Sequence, residues 1–86
     1  MLTIVQENWK TILENMKQEW EISGMAYATW VCYFKPFKVE GDTLIVKVDK
    51  ENLMINAYWF EMKYSIPLQV SIKNVLGKEL FVKFLC

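Results

Sequence analysis

Three serines, two cysteines and ten lysines are among the reactive side chains of this 86-residue chain, and their spacing builds no catalytic centre. Ser23, Ser65 and Ser71 have no histidine to act as base, because the chain contains none. The same absence removes imidazole metal ligands. Cys32 and Cys86 stand alone, with no Cys-x-x-Cys pair, and read as reduced thiols of a cytoplasmic protein. Every basic residue is lysine, so no planar guanidinium fork is available to grip phosphate or guanine. Gly77-Lys78 reads as a helix stop, since the other glycines of a phosphate-cradling loop are missing. Glu19 and Glu21, two positions apart at a helix end, diverge and read as solvated surface. The expectation is a protein that is not an enzyme, with no cofactor and no metal site.

Function must then lie in surfaces, and two stretches qualify. In Tyr33-Phe34-Lys35-Pro36-Phe37-Lys38, rings alternate with positive charge, a pattern suited to stacking single-stranded bases. Tyr33, Phe34, Lys35 and Lys38 would carry that binding. The competing reading, which we prefer, puts Phe37 in the core and leaves the lysines solvated on a strand, because large aromatics dominate small cores. The other stretch is Ile55, Trp59, Met62, Ile66 and Val70, an apolar arc on a long helix whose opposite arc is also apolar. One arc suffices to cover a sheet, so a helix apolar on two sides must be buried twice or must find a partner.

Composition agrees with surplus apolar material. Hydrophobic residues are 53% of the chain and aromatics 15%, with ten acids balancing ten lysines. That is one domain, residues 1–86, and a chain this short buries only roughly 60% of its unfolded surface. Zero net charge argues against strong electrostatic binding to duplex DNA. The first residues lack the basic start of a signal peptide. The longest apolar stretch, Met25 to Phe34, falls short of the roughly 18–20 residues that span a bilayer, so no membrane is expected.

The positioning elements follow from periodicity. Thr3 and Gln6 have capping-box spacing, and Val5, Trp9, Ile12, Leu13, Met16 and Trp20 form one stripe of a helix over about residues 4–20. Ser23 caps a short helix through Met25–Trp30, and Pro36 stops any continuation. Phe37 and Val39, then Gly41-Asp42, then Leu44, Val46 and Val48 predict a hairpin. Asp49 is the expected cap of a third helix running to Leu76, kinked or broken at Pro67 and closed by Gly77. Leu53, Phe60 and Tyr64 should meet Leu44, Val46 and Val48, with Trp30 packed nearby. Residues 78–84 close the chain as a strand, Leu80, Val82 and Phe84 on one face and Phe81 on the other. The class is α+β, order helix-helix-strand-strand-helix-strand, with helices on a three-stranded sheet.

In that order, the chain places Trp9 in a first helix, Tyr27-x-x-Trp30 before Lys35-Pro36, Gly41-Asp42-Thr43-Leu44 at a hairpin, and Trp59-x-Glu61-x-Lys63-Tyr64 before Gly77. Across nearly its whole length it resembles the amino-terminal domain of the bacterial replication initiator DnaA. The resemblance implies a KH-like fold without the gripping Gly-x-x-Gly loop. It also implies a role in protein–protein contact: self-association as a homodimer or oligomer, help in recruiting the replicative helicase, and docking of small replication regulators. Weak single-stranded DNA binding is implied as well, while ATP hydrolysis and origin recognition belong to other domains of the family. Trp9 matches the family's first-helix tryptophan linked to self-association, although the stripe above puts it in the core. Ile55 stands where the family often exposes a phenylalanine to the helicase, four residues before the tryptophan matched by Trp59. Ala26 replaces an acidic contact residue of some members. The segment from Asp49 to Met54 is a few residues longer than usual and lacks the customary Pro-Asn start.

Overall fold

The computed structural model describes residues 1–50 and 56–85. The first helical stretch is two helices, α1 (Leu2–Glu7) and α2 (Trp9–Glu19), where the stripe had predicted one. Asn8 separates them at φ −107° and ψ 9°, and its side-chain amide donates to the Ile4 carbonyl at 2.9 Å. A short amide side chain that bonds local backbone in this way competes with helix continuation. The expected capping box is not made either: α1 starts at Leu2, placing Thr3 inside it, and no side chain caps its first turn. Val5, Trp9, Ile12, Leu13 and Met16 are buried as the stripe required, but Trp20 is exposed because α2 stops at Glu19.

After α2 the backbone turns left-handed at Glu21 (φ 48°), and the Ile22 amide reaches back to the Lys17 carbonyl at 3.0 Å. α3 (Gly24–Thr29) begins at its expected cap, the Ser23 hydroxyl accepting from the Ala26 amide at 3.0 Å. A single 3-10 turn, Val31–Tyr33, then leads into β1 (Phe34–Glu40). β1 starts three residues before the predicted strand and contains Pro36. Its pairing with β2 (Thr43–Val48) shifts between Pro36 and Lys38, a bulge at Phe37. The extra residue reverses the alternation. Phe34 therefore points into the core and is fully buried, while Phe37, expected inside, is exposed.

The long helix, α4 (Ala57–Leu76), is capped by Asn56, whose side chain accepts from the Trp59 amide at 3.0 Å. The expected cap at Asp49 is thus corrected: Asp49 is not helical and donates its amide to the Tyr33 carbonyl at 2.9 Å. α4 also runs through Pro67 without the predicted break. The carbonyl that loses its donor belongs to Lys63, on an exposed turn where water can take it. Gly77 ends the helix at φ 70°, as expected of a left-handed stop.

β3 (Phe81–Leu85) lies parallel to β2, which is antiparallel to β1, giving a mixed three-stranded sheet in the order β1-β2-β3. The architecture is α+β in the predicted order of elements. Leu44, Val46 and Val48 join Val82 and Phe84 on the covered face, against Phe60, Tyr64 and Leu68 of α4 and the stripe of α2. The rings of Phe34, Phe60, Tyr64 and Phe84 sit 5.0–6.4 Å apart, mostly edge to face, the arrangement that aromatic quadrupoles favour. Leu53 lies outside the described residues.

Candidate interaction surface

α4 does four different things on its four sides. Inward, Phe60, Tyr64, Leu68 and Ile72 are buried against the sheet. Burial raises the Tyr64 phenol above its ordinary pKa, because the charged form has lost its water.

One flank faces β3, which among the described residues pairs with no strand but β2. Glu61, Ser65 and Gln69, one turn apart, lie along it. The Phe84 amide donates to the Glu61 carboxylate at 3.1 Å, and the Val82 amide donates to the Gln69 side-chain carbonyl at 3.1 Å. The Ser65 hydroxyl approaches the Val82 carbonyl at 3.3 Å and Gln69 Oε1 at 3.2 Å.

On the opposite flank Trp59 is half-buried, its ring 5.5 Å from Trp30 and 5.0 Å from Phe60, with the Lys63 ammonium 5.1 Å over it. Trp59 is therefore partly a core residue. Outward, Tyr58, Met62, Ile66 and Val70 are exposed by 67, 71, 58 and 40%. Met62 and Ile66 are where the sequence placed them, and Ile55 lies outside the described residues. Tyr58 was missed, although the four-residue step from Val70 through Ile66 and Met62 leads directly to it.

The outward line ends at a cleft of about 410 Å³ between the carboxyl-terminal half of α4 and the start of β3. Val70, Leu80 and Phe81 form its apolar wall, and Asp42, Asn74 and Glu79 lie on its rim. Lys73 and Glu79 form an ion pair there, and the Lys73 ammonium holds the Glu79 carboxyl below its ordinary pKa. Phe81 is 64% exposed, so the cleft continues the apolar surface of the helix onto the sheet.

Trp9 belongs to neither surface. Only 8% of it is exposed, and its indole N–H donates to the Phe34 carbonyl at 2.8 Å. Family-type self-contact through this side chain has no exposed ring to use.

The stacking surface read from residues 33–38 is likewise redistributed. Phe34 is in the core, and the Lys50 ammonium covers the Tyr33 ring at 5.1 Å. Lys35 and Lys38 are exposed on the uncovered face of the sheet. Strand register puts Lys35 beside Lys47 and Lys38 beside Ile45, whose other neighbour is Lys83. Four lysines thus share that face with Phe81, Leu85 and one acid, Glu40, which is paired to Lys38 at 2.6 Å.

Among the described residues no three thiol or carboxylate side chains gather where they could hold a metal ion. No helix among them is long and apolar enough to cross a membrane. No protein-family model matches the chain. Over 85 residues, 98% of its length, the chain is 29% identical to the chromosomal replication initiator protein DnaA of Lachnoclostridium phytofermentans. It spans 19% of that protein's length. The motifs in their order, the α+β architecture and this match agree in describing a chain like the amino-terminal domain of DnaA.

Proposed function

We propose that the chain is a non-enzymatic, cytoplasmic protein–protein interaction module of the DnaA amino-terminal type, with the KH-like arrangement of that domain. In this reading it acts in replication initiation, through self-association and by docking the replicative helicase or small replication regulators. The observation that carries it is the outward line of α4: four exposed apolar side chains, one turn apart, with no charge among them. An apolar surface of a few hundred Å² on a small protein marks a contact site. Trp59 anchors one border of the line, and Ile55 adjoins it in sequence.

Ile66→Glu tests the proposal, since it puts a charge at the middle of the line. Sedimentation should show loss of self-association, and binding to the purified replicative helicase should fall at least about tenfold, with the melting temperature nearly unchanged. Full binding and full association in this variant would overturn the reading.

A second reading rests on the four lysines and Phe81 of the uncovered sheet face, a surface suited to a single nucleic-acid strand. Titration with an oligonucleotide at rising salt separates the two. Sub-micromolar, steeply salt-dependent affinity favours the strand-binding reading, and its absence favours the protein partner.

A further inference from the structure

We infer that the uncovered face of the sheet is a second docking surface, separate from the outward line of α4, and that it takes an acidic amphipathic helix of another protein laid along β2. Strand register arranges this face in rows. Lys35, Lys47 and Leu85 share one row, Lys38, Ile45 and Lys83 the next, and Glu40, Thr43 and Phe81 the last. The chain has no net charge, yet four of its ten lysines stand in the first two rows, all exposed. Glu40, the one acid in the rows, is paired with Lys38 at 2.6 Å. Among the described residues Lys35, Lys47 and Lys83 form no ion pair. Like charges directly opposite on neighbouring strands destabilise a sheet, and Lys35 faces Lys47 in that way. A face that leaves this repulsion standing is complementary to carboxylates brought from outside.

The spacing selects a helix. Strands lie about 4.8 Å apart, so Lys38 and Lys83, on either side of Ile45, are about 10 Å apart at the backbone. An α-helix with its side chains is about 10–12 Å across. Laid along β2, it sets an apolar stripe on Ile45 and the exposed Leu85, with acidic flanks over Lys35 and Lys38 on one side and Lys83 on the other. A single nucleic-acid strand fits this face less well. Bases stack on rings beside positive charge, but Phe81 stands in the row of Glu40, and its amide donates to the Asp42 carbonyl at 2.7 Å, so its surroundings are acidic. Phe37, at the bulge, already has the Lys38 ammonium over its ring at 5.9 Å. Ile45 and Leu85, which the lysines do adjoin, have no π-face. A second copy is also a poor occupant, because the exposed residues Glu7, Lys10, Glu14 and Lys17 of α1 and α2 alternate in sign and offer no acidic flank.

Fluorescence anisotropy tests this with a labelled peptide of about fifteen residues, long enough to form a helix, carrying leucines on one side and glutamates on both flanks of that side. The peptide should bind the whole chain with a Kd of about 1–100 μM, and at least about tenfold more weakly when glutamine replaces its glutamates. Lys35→Gln combined with Lys83→Gln should weaken binding at least about tenfold, with the melting temperature unchanged or raised as the repulsion at Lys47 is relieved. Ile66→Glu, which breaks the α4 line, should bind the peptide as the parent chain does. Equal binding of the glutamine peptide would reduce the contact to apolar packing and overturn the acidic partner. An oligothymidylate of about a dozen nucleotides that binds more tightly than the acidic helix, and is lost in the same lysine variant, would give the face to a single strand and overturn the inference. Loss of the acidic helix in Ile66→Glu, or no binding of it up to about millimolar concentration, would overturn it as well. Self-association and helicase binding through α4 are read separately by Ile66→Glu and stand or fall without this face.

Discussion

Phe60 and Met62 stand two positions apart on α4, and the protein treats them in opposite ways. Phe60 touches the rings of Trp30, Phe34, Trp59, Tyr64 and Phe84, all within 6.4 Å. Met62 is 71% exposed. Both are large and apolar, and neither composition nor hydrophobicity distinguishes them. The difference is geometric, because the sheet covers one side of the helix and nothing in the chain's described residues covers the other. An apolar residue inward stabilises the fold, whereas one outward does so only when a partner arrives.

The largest effect expected from this contrast is at the inward line. Phe60→Ala should cost about 3–5 kcal/mol in chemical denaturation, the range for emptying a packed aromatic site. A cost below about half a kcal/mol, as at ordinary surface positions, would abolish the contrast. Trp9→Phe comes next. It keeps most of the ring but removes the N–H that satisfies the Phe34 carbonyl, and should cost about 1–3 kcal/mol by the same measurement. Self-association of this variant at a fixed folded concentration should match the parent chain; a selective loss would make Trp9 an interface residue after all.

Ser71 sharpens the inward side from the other direction. It is fully buried on α4, and its hydroxyl has no hydrogen-bond partner among the described residues. Ser71→Ala should raise stability by about 1 kcal/mol, since it removes a desolvated polar group and improves helix propensity. Unchanged or lowered stability would indicate a partner for that hydroxyl. The smallest effect on folding is expected at Met62→Glu, within about half a kcal/mol of the parent, together with loss of self-association in sedimentation. Unfolding of this variant would show that the outward line is covered within the chain.

These two sides were legible in the sequence to different degrees. The two arcs of α4 could be read from 3.6-residue periodicity, and the arc of Phe60 and Tyr64 does meet Leu44, Val46 and Val48 in the core, as expected. β2 was plain because Thr43, Ile45, Val46 and Val48 are β-branched and its inward positions alternate. Ser23 and Gly77 announced their caps, since each has a local reason to be where it is. Asn8 was hidden because a single amide bonding backwards leaves the apolar stripe intact while it breaks the helix. The bulge at Phe37 was hidden for a similar reason: one added residue changes no residue type but exchanges inside for outside. That slip moved Phe34 from the candidate strand-binding surface into the core. The cleft at Phe81 could not be foreseen either, as it joins residues of the hairpin, α4 and β3.

The closed edges of the sheet have a consequence for how copies of this protein can meet. At one edge Trp9 holds the Phe34 carbonyl, and Pro36 has no N–H to offer. At the other, Glu61, Ser65 and Gln69 occupy the polar atoms of Val82 and Phe84. An open edge of β-rich sequence is a template on which further strands assemble by main-chain bonding alone, indifferent to side-chain identity and hard to reverse. With the start of one edge and the middle of the other occupied, main-chain pairing between copies has less backbone to work with, and a larger share of encounters falls to contacts that side chains can read and release.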